Sequence, residues 1–312
     1  MALRVPLRGV VLLGILACSP PPGVQGQAPP TKLVILGTGT PIADPDRSGP
    51  GLAIVVGSEA YLVDAGPGIV RRAAAAARRG FPALYAQNLR RVFITHLHSD
   101  HTLGLPDLML SPWPLGRPVP LEVYGPPGIQ RMTSHIEEAW AEDEQLRMFG
   151  AERLRRPNYK AVTHRIEAGR IYDDGIVRVD AIAVDHVSWP SAFGFRFQTP
   201  DRTIVVSGDA RPTQALADAC NKCDILVHEV YSSAFFGRNP VGPSRSLEGQ
   251  GYHSLAHTST AQLAELARKA QPGVLVLYHQ LYGPASDADL EREVREAGYR
   301  GRVVSARDLD VF

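Results

Sequence analysis

Three imidazoles and a carboxylate stand within six residues in His96-Leu97-His98-Ser99-Asp100-His101, directly after the apolar run Val92-Phe93-Ile94. In extended chain, residues two apart point the same way, so His96 and His98 can grip one ion together. Where the chain turns into the helix that follows, Asp100 and His101 swing to the other side and can serve a second ion. Nitrogen and carboxylate donors suit zinc, manganese or ferrous iron, and the lack of thiolate argues against a closed structural zinc site. An open site of this kind is what a hydrolase needs to activate water.

Four residues are too few for two ions, so further ligands are expected downstream at strand ends. His186 follows Ala183-Val184-Asp185, Asp209 follows Ile204-Val205-Val206-Ser207-Gly208, and His279 follows Val274-Leu275-Val276-Leu277-Tyr278. Each stands where a buried strand empties into a loop, the usual place for ligands in layered α/β folds.

The elements that must position these residues are legible as alternating strands and helices. Short apolar runs at Lys32–Leu36, Leu52–Val56 and Tyr61–Val63 predict an all-β opening, and Ile69–Arg79 predicts a helix closed by Gly80. Arg91–Thr95 is the strand that delivers the histidine cluster. A strand at Leu121–Tyr124 and a single helix from about Ile129 to Leu146 follow, then an irregular basic stretch with Arg147, Arg153, Arg155 and Arg156. Later strands are predicted near Ile176–Val184, Ala192–Gln198, Thr203–Ser207, Ile225–Val230 and Val274–Tyr278. Helices are predicted at Thr213–Ala219 and Thr260–Ala270, the second started by a Ser259/Gln262 capping box. No repeat or mid-chain linker interrupts the pattern, so one α/β domain is expected over residues 32–312.

The 312 residues hold 33 basic and 32 acidic side chains, a net charge of +1, which argues against a dedicated polyanion-binding surface. Arg4 and Arg8 precede an apolar run from Gly9 to Ala17 that is too short to span a bilayer. Residues 1–26 therefore read as an export signal, with 27–31 as a spacer, and the chain as exported: periplasmic, secreted or lipid-anchored. Ile15-Leu16-Ala17-Cys18 resembles a lipoprotein box, which would attach Cys18 to a membrane, whereas Val24-Gln25-Gly26 offers ordinary cleavage. Cys220-Asn221-Lys222-Cys223 is open to reading as a redox pair, a local disulfide, half of a zinc site or two unrelated thiols. Monomer and homodimer both stay open.

His96-Leu97-His98-Ser99-Asp100-His101 resembles the HxHxDH signature of the metallo-β-lactamase superfamily, and Val184-Asp185-His186, Ser207-Gly208-Asp209 and Leu277-Tyr278-His279 match its remaining motifs in order. Leu36-Gly37-Thr38-Gly39-Thr40-Pro41, Arg47-Ser48, Leu62-Val63-Asp64-Ala65-Gly66, His228-Glu229-Val230-Tyr231 and His257-Thr258 make the chain similar to the RNase Z-like branch. The resemblance implies a four-layer αββα sandwich with two divalent cations, zinc foremost and manganese or ferrous iron as alternatives, at one edge. It implies His96, His98 and His186 on the first ion, Asp100, His101 and His279 on the second, and Asp209 bridging both. It also implies His257 as proton donor to the leaving group, Glu229 orienting it, and Asp64 holding ligands from behind. His253, beside the Gly-rich stretch Gly249-Gln250-Gly251-Tyr252, is a candidate substrate contact.

The function expected is hydrolysis of a phosphodiester by a hydroxide held on the metal pair, on a small-molecule or nucleic-acid ester, with Asp100 able to accept a proton. No long Gly- and Lys-rich arm for holding transfer RNA lies between His101 and His186. The same metals would also serve an exported aryl sulfatase, lactonase or other small-ester hydrolase. A metal-binding protein without turnover is the non-enzymatic alternative, against which the full set of seven ligands argues.

Overall fold

The computed structural model describes residues 30–236 and 251–312. The export signal and the lipoprotein reading of Cys18 lie outside the described residues, as do Gly249 and Gln250.

The described residues build two facing sheets. The first has six strands in chain order, β1 (Lys32–Gly37), β2 (Gly51–Val56), β3 (Glu59–Val63), β4 (Arg91–Phe93), β5 (Leu121–Gly125) and β6 (Ala161–Arg165). The second has seven, also in chain order: β7 (Gly169–Asp173), β8 (Arg178–His186), β9 (Trp189–Gln198), β10 (Thr203–Val206), β11 (Ile225–Tyr231), β12 (Val274–Leu281) and β13 (Val303–Ser305). Each sheet opens as an antiparallel meander and then turns parallel, from β3 onward in one and from β10 onward in the other. Parallel neighbours need crossovers, and these are the helices. They are α1 (Ile69–Arg78), α2 (Ser99–Thr102), α3 (Leu105–Leu110), α4 (Ile129–Ala139) and α5 (Ala141–Phe149) in the first half. In the second half they are α6 (Gln214–Cys220), α7 (Ser233–Phe236), α8 (Tyr252–Ala256), α9 (Thr260–Ala270) and α10 (Asp287–Glu296).

Three apolar layers hold this together. Between the sheets, Phe93 stacks on Tyr124 at 4.9 Å and meets Tyr172, Phe195 and Phe197 edge-on at 5.6, 5.9 and 5.5 Å. Outside the first sheet, α1, α3 and α4 bury Ala73, Leu105, Leu108 and Ile129 against Val34, Leu62 and Val92. Outside the second, α6, α9 and α10 bury Leu216, Leu263, Leu290 and Val294 against Val205, Leu226 and Leu277. The result is the four-layer αββα sandwich as one domain. Strands β11 and β12, in the parallel region of the second sheet, are buried on both faces, which is why they read as unbroken apolar runs.

Three features differ from expectation. The helix expected over Ile129–Leu146 is two helices meeting at Trp140, whose φ of −109° and ψ of 15° leave the helical region. The stretch expected to be irregular contains β6 and β7. Strand β13 and helices α3, α7, α8 and α10 were not expected. Cys220 and Cys223 are joined by a disulfide, among the alternatives the spacing left open. It pins the end of α6 to the start of β11.

Candidate metal centre

The strands of both sheets deliver their ligand-type residues to one edge. His96 and His98 leave β4, and Asp100 and His101 begin the short α2. His186 ends β8, where the register slips between Val184 and His186. Asp209 follows β10. His279 lies within β12 as an extra residue: Glu229 faces Tyr278 and Val230 faces Gln280, so His279 bulges out. Its φ of +46° lies in the left-handed region. Such strain at a polar, buried residue is the kind of local cost that folds carry at functional sites.

The donor atoms converge. His96 Nε2 and His186 Nε2 lie 2.8 and 3.2 Å from His98 Nδ1. Together with Asp209 these three form one cluster, and Asp100, His101 and His279 form a second, each with ligand atoms within 4.8 Å of one another. Asp209 reaches both clusters. Its Oδ2 is 3.9 Å from His96 Nε2, 4.0 Å from His186 Nε2 and 3.6 Å from His279 Nε2, and its Oδ1 is 3.4 Å from His101 Nε2. His279 Nε2 also stands 3.2 Å from Asp100 Oδ2.

Three of the ring nitrogens facing away from this centre have partners, whereas His279 Nδ1 is buried without one. His101 Nδ1 meets Asp64 Oδ2 at 2.8 Å, His186 Nδ1 meets the Ala256 carbonyl at 2.9 Å, and His96 Nδ1 meets Thr95 Oγ1 at 3.0 Å. These contacts fix each ring so that its other nitrogen faces inward. Asp64 is itself held by the Thr95 amide and hydroxyl and takes a φ of +59° to reach them. Thr95 was not singled out in the sequence; its place between the strand and the first histidine is the signal that could have marked it.

His101 Nε2 and Asp209 Oδ1 are buried and lack hydrogen-bond partners, although they face one another. Burying such atoms unsatisfied costs about 1–3 kcal/mol each, a penalty that a cation between them removes. The donor set therefore fits divalent cations of the zinc type. Electrostatics agree. Burial drives His98 down to about 4 and pulls His96 and His186 below the usual range, so these three nitrogens carry free lone pairs at neutral pH. Burial works against the Asp209 carboxylate, but His279 and His101 outweigh it and hold the group well below its ordinary range.

Behind the centre, Glu229 is fully buried, and its Oε1 accepts from the Thr258 and Ala210 amides at 2.9 and 3.3 Å. The same oxygen lies 3.3 Å from His257 Nδ1. Burial pushes the Glu229 carboxyl well up, with Asp209 adding to it, and burial pulls the His257 imidazole down to about 4. His257 stands 5.1 Å from His186 and 6.0 Å from His279, ring to ring. His253 lies 5.8 Å from His257, against Phe236 at 4.4 Å. Trp189, also unforeseen, sets its ring edge-on to His98 at 5.0 Å.

Two facing mixed sheets thus bring a buried His/Asp cluster, with donors suited to divalent cations, to one edge of a layered α/β fold. The family model described as "Beta-lactamase superfamily domain" matches residues 59–280. Ribonuclease Z of Mycobacterium bovis is 32% identical over 284 residues, spanning 89% of this chain and 96% of that protein; ribonuclease Z of Mycobacterium marinum matches to the same extent. Among solved structures, the human short-form tRNase Z superposes with a TM-score of 0.65 at 21% identity, over 90% of this chain and 98% of that one. The chain belongs to the metallo-β-lactamase superfamily, in its RNase Z-like branch.

Proposed function

We propose that the protein is a phosphodiesterase of the RNase Z-like kind, working with two divalent cations, most simply zinc. The observation that carries this reading is Asp209, which touches both clusters while the Glu229–His257 pair stands directly behind it. His96, His98, His186 and Asp209 would hold one cation, and Asp100, His101, His279 and Asp209 the other. Bound there, the pair would supply Lewis acidity to activate water and to neutralise charge on the attacked phosphorus.

The protein residues supply orientation and protons. Asp64 fixes the His101 ring, and Asp100 and Asp209 place negative charge beside the attacking water and can take its proton. Burial favours the uncharged form of both Glu229 and His257, and Glu229 Oε1 stands 3.3 Å from His257 Nδ1, close enough to orient the imidazole. The imidazole borders the open cleft and is the member able to reach a leaving oxygen. A leaving alkoxide needs a proton, whereas a nitrophenolate does not.

Hydrolysis of a short RNA by zinc-loaded protein, beside an aryl sulfate and a lactone, tests the reading. His257→Ala should lower kcat on the RNA by about 10²-fold or more, while bis(p-nitrophenyl) phosphate loses far less. Equal losses on both substrates would remove His257 as donor. Turnover confined to the sulfate or the lactone would instead favour a small-ester hydrolase. The absence of lysine and arginine from the cleft lining among the described residues gives that second reading its support.

A further inference from the structure

The cleft above Asp100 and Asp209 has a volume of about 440 Å³, and only one side of it is occupied by the candidate centre. The other side is walled by Phe235, Phe236, Tyr252, Tyr282, Ile42 and Leu281. A pocket that gripped a second phosphate or a carboxylate would need guanidinium, ammonium or clustered amide donors. Among the described residues this side offers mainly rings and aliphatic carbon, the surface on which flat π-systems stack, with His253 beside them.

The rings are held in place. Phe236 meets Phe235 edge-on at 4.8 Å and Tyr231 edge-on at 5.8 Å. Phe235 lies against Gly283, where a Cβ would come within 2.2 Å of the ring and where φ is +57°, so only glycine leaves it room. Arg47 sits 4.7 Å over the Tyr282 ring, bordering the neighbouring hollow rather than the cleft, and is anchored there by Thr38 and Asp287. Its charge is thus committed behind the ring. Tyr252 stands 5.7 Å from His257 and opens on the same space.

The position of His257 says which part of the substrate enters. Water's oxygen bonds to phosphorus, the bond from phosphorus to the leaving oxygen breaks, a carboxylate takes the proton from water and His257 gives one to the leaving oxygen. The departing alcohol is then neutral, and whatever it carries lies on the aromatic side of the cleft. We propose that this side is a leaving-group subsite selecting an alcohol that bears an uncharged planar aromatic ring, a nucleobase or an aryl group. The inference rests on the phosphodiesterase reading above and deepens it.

Symmetric diesters remove any doubt about which arm departs. Zinc-loaded protein would be given dibenzyl phosphate, bis(cyclohexylmethyl) phosphate, 3′,3′-linked diadenosine phosphate and its abasic counterpart, and kcat/KM compared within each pair. The expected result is a preference of tenfold or more for the ring-bearing member of at least one pair, with the favoured pair telling aryl from nucleobase. That preference should fall to within about twofold in Tyr252→Leu and Phe236→Leu and return in Tyr252→Phe. As a readout independent of turnover, adenosine or benzyl alcohol alone should bind by ligand-observed NMR and lose binding in the same leucine variants. Equal turnover within both pairs, or a preference untouched by the variants, overturns the subsite and leaves the phosphodiesterase reading standing. Failure to cleave any diester, with zinc bound, overturns both.

Discussion

At the scale of single residues, Asp64 shows how much of the centre depends on groups that never face it. Its carboxylate ties the Thr95 amide and hydroxyl to His101 Nδ1, and it adopts a left-handed backbone to do so. Asp64→Asn keeps the shape but loses the charge that orients and strengthens the imidazole. Zinc affinity, followed by competition with a chromophoric chelator, should weaken about 10–100-fold; an unchanged affinity would reduce Asp64 to a structural role. The residues in the two clusters were legible because ligand-type side chains recur at the ends of apolar strands. What sequence could not carry was geometry: the +46° backbone of His279, the backing of His96 by Thr95, and the arrival of Trp189 and Phe236 beside histidines far away in the chain.

At the scale of elements, the junction of α2 and α3 is set by a close approach of two loops. The Gly104 amide donates to the Ala65 carbonyl at 2.8 Å, the Ala65 amide donates to the His101 carbonyl at 2.9 Å, and a Cβ on Gly104 would fall 2.2 Å from the Gly66 carbonyl oxygen. Gly104→Ala should therefore cost about 1–3 kcal/mol in a denaturant melt and displace His101 with it. A midpoint equal to that of the parent would mean the loops separate freely. At the start of α10, Asp287 accepts from Tyr282, Ser305, Arg307 and Arg47. Burial raises this carboxyl, but the bonds from Tyr282, Ser305 and Arg307 outweigh it and leave it below the usual range. Its contribution to stability is thus full above the unfolded value of about 3.9 and is lost as pH falls through the lower folded value. The stability gap between the parent and Asp287→Asn should hold steady at higher pH and close only in that acid window. Elements with strong local signals were readable, among them α9 with its Ser259/Gln262 capping box. Strands β6 and β7 were not, because their residues are largely exposed or half-buried and show no apolar run. Trp140 broke a helix whose flanking residues gave no warning.

At the scale of the whole molecule, the candidate ligands divide between the sheets: His96, His98, Asp100 and His101 come from the first half, and His186, Asp209 and His279 from the second. Cations bound by both halves favour the folded state by mass action, roughly 4 kcal/mol per site at a thousandfold excess over Kd. Chelation should lower Tm by on the order of 10 °C and zinc should restore it; a Tm indifferent to chelator would mean that the layers are held by packing alone. A single α/β domain followed from the order of strand and helix patterns, because buried parallel strands announce themselves as apolar runs, whereas the four layers were what the family resemblance implied. The facing of the two sheets, by contrast, depends on rings such as Phe93 and Phe195 that meet from distant stretches of chain.

The bulge that carries His279 sits in β12, the penultimate strand of the second sheet. On the proposed ligand assignment, a chain leaving the ribosome has six of its seven ligands before this one emerges, and the cluster of Asp100 and His101 stays without its imidazole until then. On that assignment, prematurely ended copies would carry the histidine cluster of the first sheet yet lack the last ligand of the second.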